Sequence, residues 1–138
     1  MTADGPWGSA AALSGRLIFA GLFAMAVAFK LADIGATAGY IASAGFPLPG
    51  LLAWLAAILE LGLALAFLTG AYFREAALVA AAYVIFLAFA FHGPARWEGN
   101  QAEFGFFVDH FSFFAGLLFA AAFGPGRWAL HRSLLASR

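Results

Sequence analysis

Four apolar runs, separated by short polar or glycine- and proline-rich joints, organise this chain. Polar residues 1–8 lead into an apolar run at 17–29, flanked by Arg16 and Lys30. This predicts a first helix over about 11–34, whose two cations snorkel towards opposite surfaces. A cleaved signal places basic residues ahead of its apolar region; residues 1–15 carry none, so this helix is expected to be retained. The joint GATAGYIASAGFPLPG, residues 35–50, is weakly hydrophobic and suits a short interfacial helix or a loop packed on the mouth of a bundle. A second helix, about 51–69, follows Pro49 and ends at the Thr69-Gly70 turn. A third, about 74–92, opens with Arg74-Glu75 and is rich in alanine. The hydrophilic loop GPARWEGNQAE closes it. The fourth, about 104–123, carries eight phenylalanines and stops at Gly124-Pro125-Gly126.

Composition turns four apolar runs into four membrane spans. Hydrophobic residues make up 64% of 138 positions and charged ones 10%, against roughly a quarter charged in a soluble domain. The expected fold is all-α: an integral membrane four-helix bundle forming a single transmembrane domain over 1–138, with no room for a separate soluble domain. Formal net charge is zero and the basic residues are scattered, which excludes a nucleic-acid face. Cysteine is absent, so disulfides, thiol chemistry and thiolate-ligated metals are excluded as well. The basic residues also set an orientation. Arg16, Arg74, Arg127, Arg132 and Arg138 collect on one side, against Lys30 and Arg96 on the other. By the positive-inside rule both termini are cytoplasmic and the joints at 35–50 and 93–103 face out, as in a multi-pass protein of the bacterial inner (plasma) membrane.

One carboxylate stands out against this background. Glu60 lies near the middle of the uninterrupted apolar stretch 51–73. An unpartnered charge at that depth costs at least about 2.5 kcal/mol, so Glu60 is a candidate functional residue. Lys30, Asp109 and His110 lie in the outward half of their helices, and His92 caps the outward end of the third. Matching depth pairs Lys30 with Asp109 and leaves Glu60 to His110 or His92, or protonated. Small residues support inward placement. Ala53, Ala57 and Ala64 share or adjoin the Glu60 face; Ala81, Ala88 and His92 recur similarly; and Gly105, Asp109, Ser112, Gly116 and Ala120 form a small and polar face that would point Asp109 at a neighbour. Glu60 and His92 are the candidate catalytic residues; Lys30, Asp109 and His110 complete a polar cluster. Each has a plainer role open to it: a structural ion pair for Lys30 and Asp109, a helix-dipole partner for His92, a satisfied bundle histidine for His110. No metal site is expected, because a spacing such as Glu-x-x-His does not recur. The phenylalanines of the fourth helix pack against lipid or line a site for a flat apolar ligand such as a quinone.

The order of motifs resembles the DoxX family of small four-helix membrane proteins. The resemblance is carried by Gly21 through Lys30-Leu31, the segment Tyr40-Ile41-Ala42-Ser43-Ala44-Gly45-Phe46-Pro47, Glu60-Leu61-Gly62, Gly70 with Arg74-Glu75-Ala76-Ala77, Phe91-His92, and the tail Gly124-Pro125-Gly126-Arg127-Trp128. It covers roughly residues 15–130. Asp109-His110 stands where the family often has Lys-Asn, and His131 where an acidic residue is common, so no role is carried over to the Asp109-His110 pair. The resemblance implies association with membrane oxidoreductase systems, some members being similar to subunits of thiosulfate:quinone oxidoreductases or of terminal quinol oxidases. Three functions compete. The favoured one is a small integral subunit of a quinone-linked redox or energy-converting complex. It has other integral subunits and the lipid bilayer as partners and no intrinsic cofactor, and a quinone is its candidate ligand. The second is a quinone-linked oxidoreductase in its own right, with Glu60 and His92 moving protons. A proton- or metal-handling carrier ranks last, because the chain lacks a visible inverted repeat.

Overall fold

The computed structural model describes residues 5–130 and 133–135. Helices run in the order α1 (Pro6–Ala32), α2 (Ile34–Ser43), α3 (Pro49–Thr69), α4 (Phe73–His92) and α5 (Gln101–Phe123), with a 3-10 turn at Pro94–Arg96; no strand occurs among the described residues. α1, α3, α4 and α5 are each long and apolar enough to cross a bilayer. The chain is a multi-pass membrane protein. His131, Arg132 and Arg138, used above for the tail motif and for orientation, lie outside the described residues.

Helix ends follow local chemistry more closely than the apolar runs do. α1 starts at Pro6, whose fixed φ suits a first turn, so the helix begins before the apolar run. α5 likewise starts early because the Asn100 side chain accepts the backbone N–H of Glu103. Asp33 breaks what the pattern predicted as one helix to residue 34. Its backbone leaves the helical region at φ −151°, and its carboxylate accepts the N–H of Ala36 at 2.8 Å, capping α2. The joint 35–50 therefore forms a short helix, one of its two expected forms, and α2 packs on α3 at the mouth of the bundle.

α1 packs mainly on α3, and α4 on α5. Small residues let the backbones approach: Ala53 and Ala57 on α3 and Ala77, Ala80, Ala81 and Ala88 on α4 are all buried. Phe67, fully buried, stacks on Phe23 of α1 at 5.8 Å between ring centroids and meets Phe73 of α4 edge-on at 5.5 Å. α5 differs from the expectation. Leu117 is its one buried residue among those described, while Asp109 and Ser112, on the supposed inward face, are exposed. Aromatic contacts join the first half of α5 to α4 and to the loop after it, with Phe89 of α4 against Phe107 at 5.2 Å and Trp97 of the loop against Phe107 at 5.0 Å. The small face is split: Asp109 and Ser112 point outward, whereas Gly116 lies against the Phe19 ring of α1 and Ala120 packs on the buried core.

The end where α3 and α5 stop is closed by two arginines. Arg16 does not snorkel. It is buried, and its Nε donates to the Phe67 carbonyl at 3.0 Å, Nη2 to that of Leu68 at 2.7 Å, and Nη1 to those of Trp128 at 2.5 Å and Pro125 at 3.4 Å. These acceptors are the free carbonyls at the end of α3 and the tail that follows α5, where a cation also meets the negative end of the helix dipole. Arg74 does the same for α5, donating to the carbonyls of Ala121 and Ala122 at 2.6 and 2.7 Å. Each clamp sits at a glycine. Gly70 ends α3 with φ +79°, and a Cβ there would overlap Ala129 and crowd the Arg16 guanidinium. Gly124 ends α5 with φ +84°, and a Cβ would meet Arg74 Nη2 at 2.9 Å.

Candidate functional site

At the opposite end, under α2, lies a cavity of about 750 Å³. Its walls include Phe29, Tyr40, Phe46, Phe86 and Phe91. These rings brace one another, Tyr40 stacking on Phe91 at 5.1 Å and Phe46 on Phe91 at 5.7 Å. Polar groups converge on the same space: Lys30 from the last turn of α1, Tyr83 from the middle of α4, His92 from the end of α4, and His110 from α5. Burial and the Glu103 carboxylate hold the Tyr40 phenol above its usual range, so it is a protonated donor at neutral pH.

Glu60 lies behind Lys30 rather than on the cavity wall. Its Oε2 lies 2.9 Å from Lys30 Nζ, and its Oε1 accepts the Tyr83 hydroxyl at 2.8 Å. The carboxylate is 3% exposed and the ammonium 20%, so the anion is sealed in and the cation faces the cavity. The Lys30 contact is ionic rather than a well-directed hydrogen bond, which leaves Oε2 without a donor aimed at it. A second, smaller space of about 190 Å³ adjoins Glu60, Tyr83 and His110. It is large enough for ordered water, and its three polar neighbours could hold one there.

The Lys30–Glu60 contact corrects the pairing read from depth. Asp109 is exposed and pairs with nothing among the described residues, and neither histidine touches Glu60. Counting residues along each helix assumed that the helices end level. Lys30 stands two residues from the end of α1 yet meets Glu60, the twelfth residue of α3, so the two helices are offset along their length.

The histidines form a second group at the rim. His92 Nδ1 lies 2.7 Å from Glu103 Oε2, and His110 Nδ1 lies 2.6 Å from the Phe106 carbonyl. Both oxygens only accept, so Nδ1 carries the proton in each ring and a neutral ring keeps its lone pair on Nε2. The ring centroids are 5.1 Å apart. Trp97 pins this corner, its indole N–H donating to the His92 carbonyl at 2.8 Å.

The structure thus gathers Lys30, Glu60, His92 and His110 around connected cavities and leaves Asp109 outside. Two residues were missed. Tyr83 had a visible signal: a phenol in an otherwise alanine- and phenylalanine-rich span needs a partner. Glu103 was masked because a glutamate three residues after Asn100 also reads as half of a capping box.

The protein-family model DoxX matches residues 11–93. No curated protein and no solved structure matches the chain. The matched stretch contains Lys30, Glu60, Tyr83 and His92, whereas Glu103, Asp109 and His110 fall beyond it.

Proposed function

The chain belongs to the DoxX family, and from that footing we propose that it is a small integral subunit of a quinone-linked membrane redox complex, whose cavity receives a quinone-type head group. The observation that carries this reading is the cavity itself. Its volume of about 750 Å³ falls within the range of roughly 300–1,000 Å³ common to small-molecule sites. Its aromatic walls suit a flat ring and an apolar tail. The Lys30 ammonium and the Tyr40 hydroxyl supply donors for ring carbonyls, and Glu60 offsets the lysine charge without entering the cavity. The residues therefore fit a carbonyl-bearing, otherwise apolar ligand better than an anion, which would need Lys30 free.

On this reading the protein resides in a bacterial inner membrane with both termini in the cytoplasm, as the distribution of arginines favours. Partner subunits approach along α5. Asp109, exposed on a membrane-spanning helix, is costly against lipid and is relieved by a basic or hydrogen-bonding residue on a neighbouring chain.

Two measurements test the proposal. A short-chain quinone titrated into the purified protein in nanodiscs should bind saturably, and Lys30→Met should weaken binding by about tenfold, the loss of one charge-assisted hydrogen bond. Absence of saturable binding would remove the ligand. Affinity purification from native membranes should recover further integral membrane proteins, and recovery of the chain alone would remove the complex.

A further inference from the structure

We propose that His92 and His110 form a two-imidazole site for a d10 transition ion, Zn2+ or Cu+, at the rim of the cavity. This goes beyond the quinone reading and does not depend on it. Three observations support the site. First, each Nδ1–H is already committed, on His92 to the Glu103 carboxylate and on His110 to the Phe106 carbonyl. That is the arrangement that fixes the tautomer of metal-ligating histidines, one ring held by a carboxylate and the other by a backbone carbonyl, and it leaves Nε2 as the ligating atom on both. Second, both rings line one cavity. Third, their centroids are 5.1 Å apart with 41° between planes. Two imidazoles bound to one tetrahedral ion at the usual metal–nitrogen distance have centroids about 5 Å apart, so the ring separation fits a shared ion.

Charge does not oppose the site, because the Lys30 ammonium at the cavity floor is answered by Glu60 at 2.9 Å. No third histidine or carboxylate among the described residues completes a protein ligand set. The ion therefore keeps open positions towards the cavity, the property that separates reactive or exchanging sites from closed structural ones. The spacing pattern sought in the sequence could not have revealed it. That pattern tests for ligands one turn apart on a single helix, whereas His92 ends α4 and His110 lies in the third turn of α5.

The test is metal binding by the full chain in detergent, with no quinone present. Zn2+ is titrated in competition with a chromophoric chelator, and Cu+ likewise under anaerobic reducing conditions. The expected result is about one equivalent of at least one of these ions, with X-ray absorption showing nitrogen ligands at about 2.0–2.1 Å. His92→Gln and His110→Gln should each abolish competition. Glu103→Gln, which leaves both ligands in place, should weaken binding by about tenfold to a hundredfold. Asp109→Asn should leave it unchanged. Thermal unfolding of each variant reports folding separately, so a variant that fails to fold is replaced by its asparagine counterpart. Binding of neither ion overturns the proposal, as does binding that survives in both histidine variants.

Discussion

The two ends of the bundle hold charge in opposite ways. Where α3 and α5 stop, Arg16 and Arg74 are satisfied by backbone carbonyls of other helices. Under α2, Lys30 and Glu60 are satisfied chiefly by each other and by the Tyr83 hydroxyl, beside open space. A backbone acceptor cannot be removed by mutation and does not titrate. A side-chain acceptor can be removed together with its partner, and it can exchange protons with what enters the cavity. The first end is thus closed and the second left open, although each depends on basic residues in apolar surroundings.

The largest effect expected from this contrast is at Arg16. Arg16→Met keeps much of the volume and strands the carbonyls of Phe67, Leu68 and Trp128. At about 1–3 kcal/mol for each buried acceptor left unmade, the loss should reach about 3 kcal/mol or more. Arg16→Lys should recover only part of it, since one ammonium cannot reproduce the guanidinium fork. Unfolding in mixed micelles measures both; a loss below about 1 kcal/mol for the methionine variant would show that the clamp does not hold this end. Gly70→Ala attacks the same clamp from the other side, through its positive φ and the overlap with Ala129, and should also lower the melting temperature.

At the cavity end the matching experiment should behave differently. Glu60→Leu leaves Lys30 unpaired but able to hydrate through the cavity, and Lys30→Met leaves Glu60 with the Tyr83 hydroxyl. Each should cost about 2 kcal/mol, below the usual range for breaking a fully buried pair. The double variant should return to within about 1 kcal/mol of the parent, because a buried ion pair is often replaceable by apolar side chains. It should also lose quinone binding. A double variant no more stable than the worse single one would mean that the pair is structural in the way Arg16 is, and the contrast between the ends would fail.

The legible and illegible parts of the chain divide along the same line. The spans could be read because a bilayer demands long apolar helices, and Glu60 could be singled out because a carboxylate interrupts one of them. The buried alanines of α3 and α4 followed from helical spacing. The partners of Glu60 did not follow, because they depend on how α1, α3 and α4 are offset against one another, and no periodicity within a single helix reports that. The small face of α5 was half legible: Gly116 and Ala120 pack inward, but the same spacing also placed Asp109 and Ser112 there, and both are exposed. The arginine clamps were read only as orientation signals, since their acceptors are carbonyls, which carry no signature in a sequence.

The smallest effect, and the finest test of the contrast, is expected at Tyr83. Tyr83→Phe removes the hydrogen bond to Glu60 Oε1, and a bond to a charged group contributes about 1.5–3 kcal/mol where nothing replaces it. Here something can. The space of about 190 Å³ beside Glu60 and Tyr83 admits water, with Glu60 and His110 on its walls to hold it. Water that takes over the phenol's role returns most of that energy, so the loss should be about 1 kcal/mol or less. Arg16 has no such substitute, because the groups around it are closely packed and Gly70 leaves no room for even a methyl group. Infrared spectra of the carboxyl region, taken with the unfolding data, would report whether Glu60 gains a new donor or a proton. A cost for Tyr83→Phe equal to that for Arg16→Met would mean that water does not reach Glu60, and the floor of the cavity would then be as closed as the opposite end.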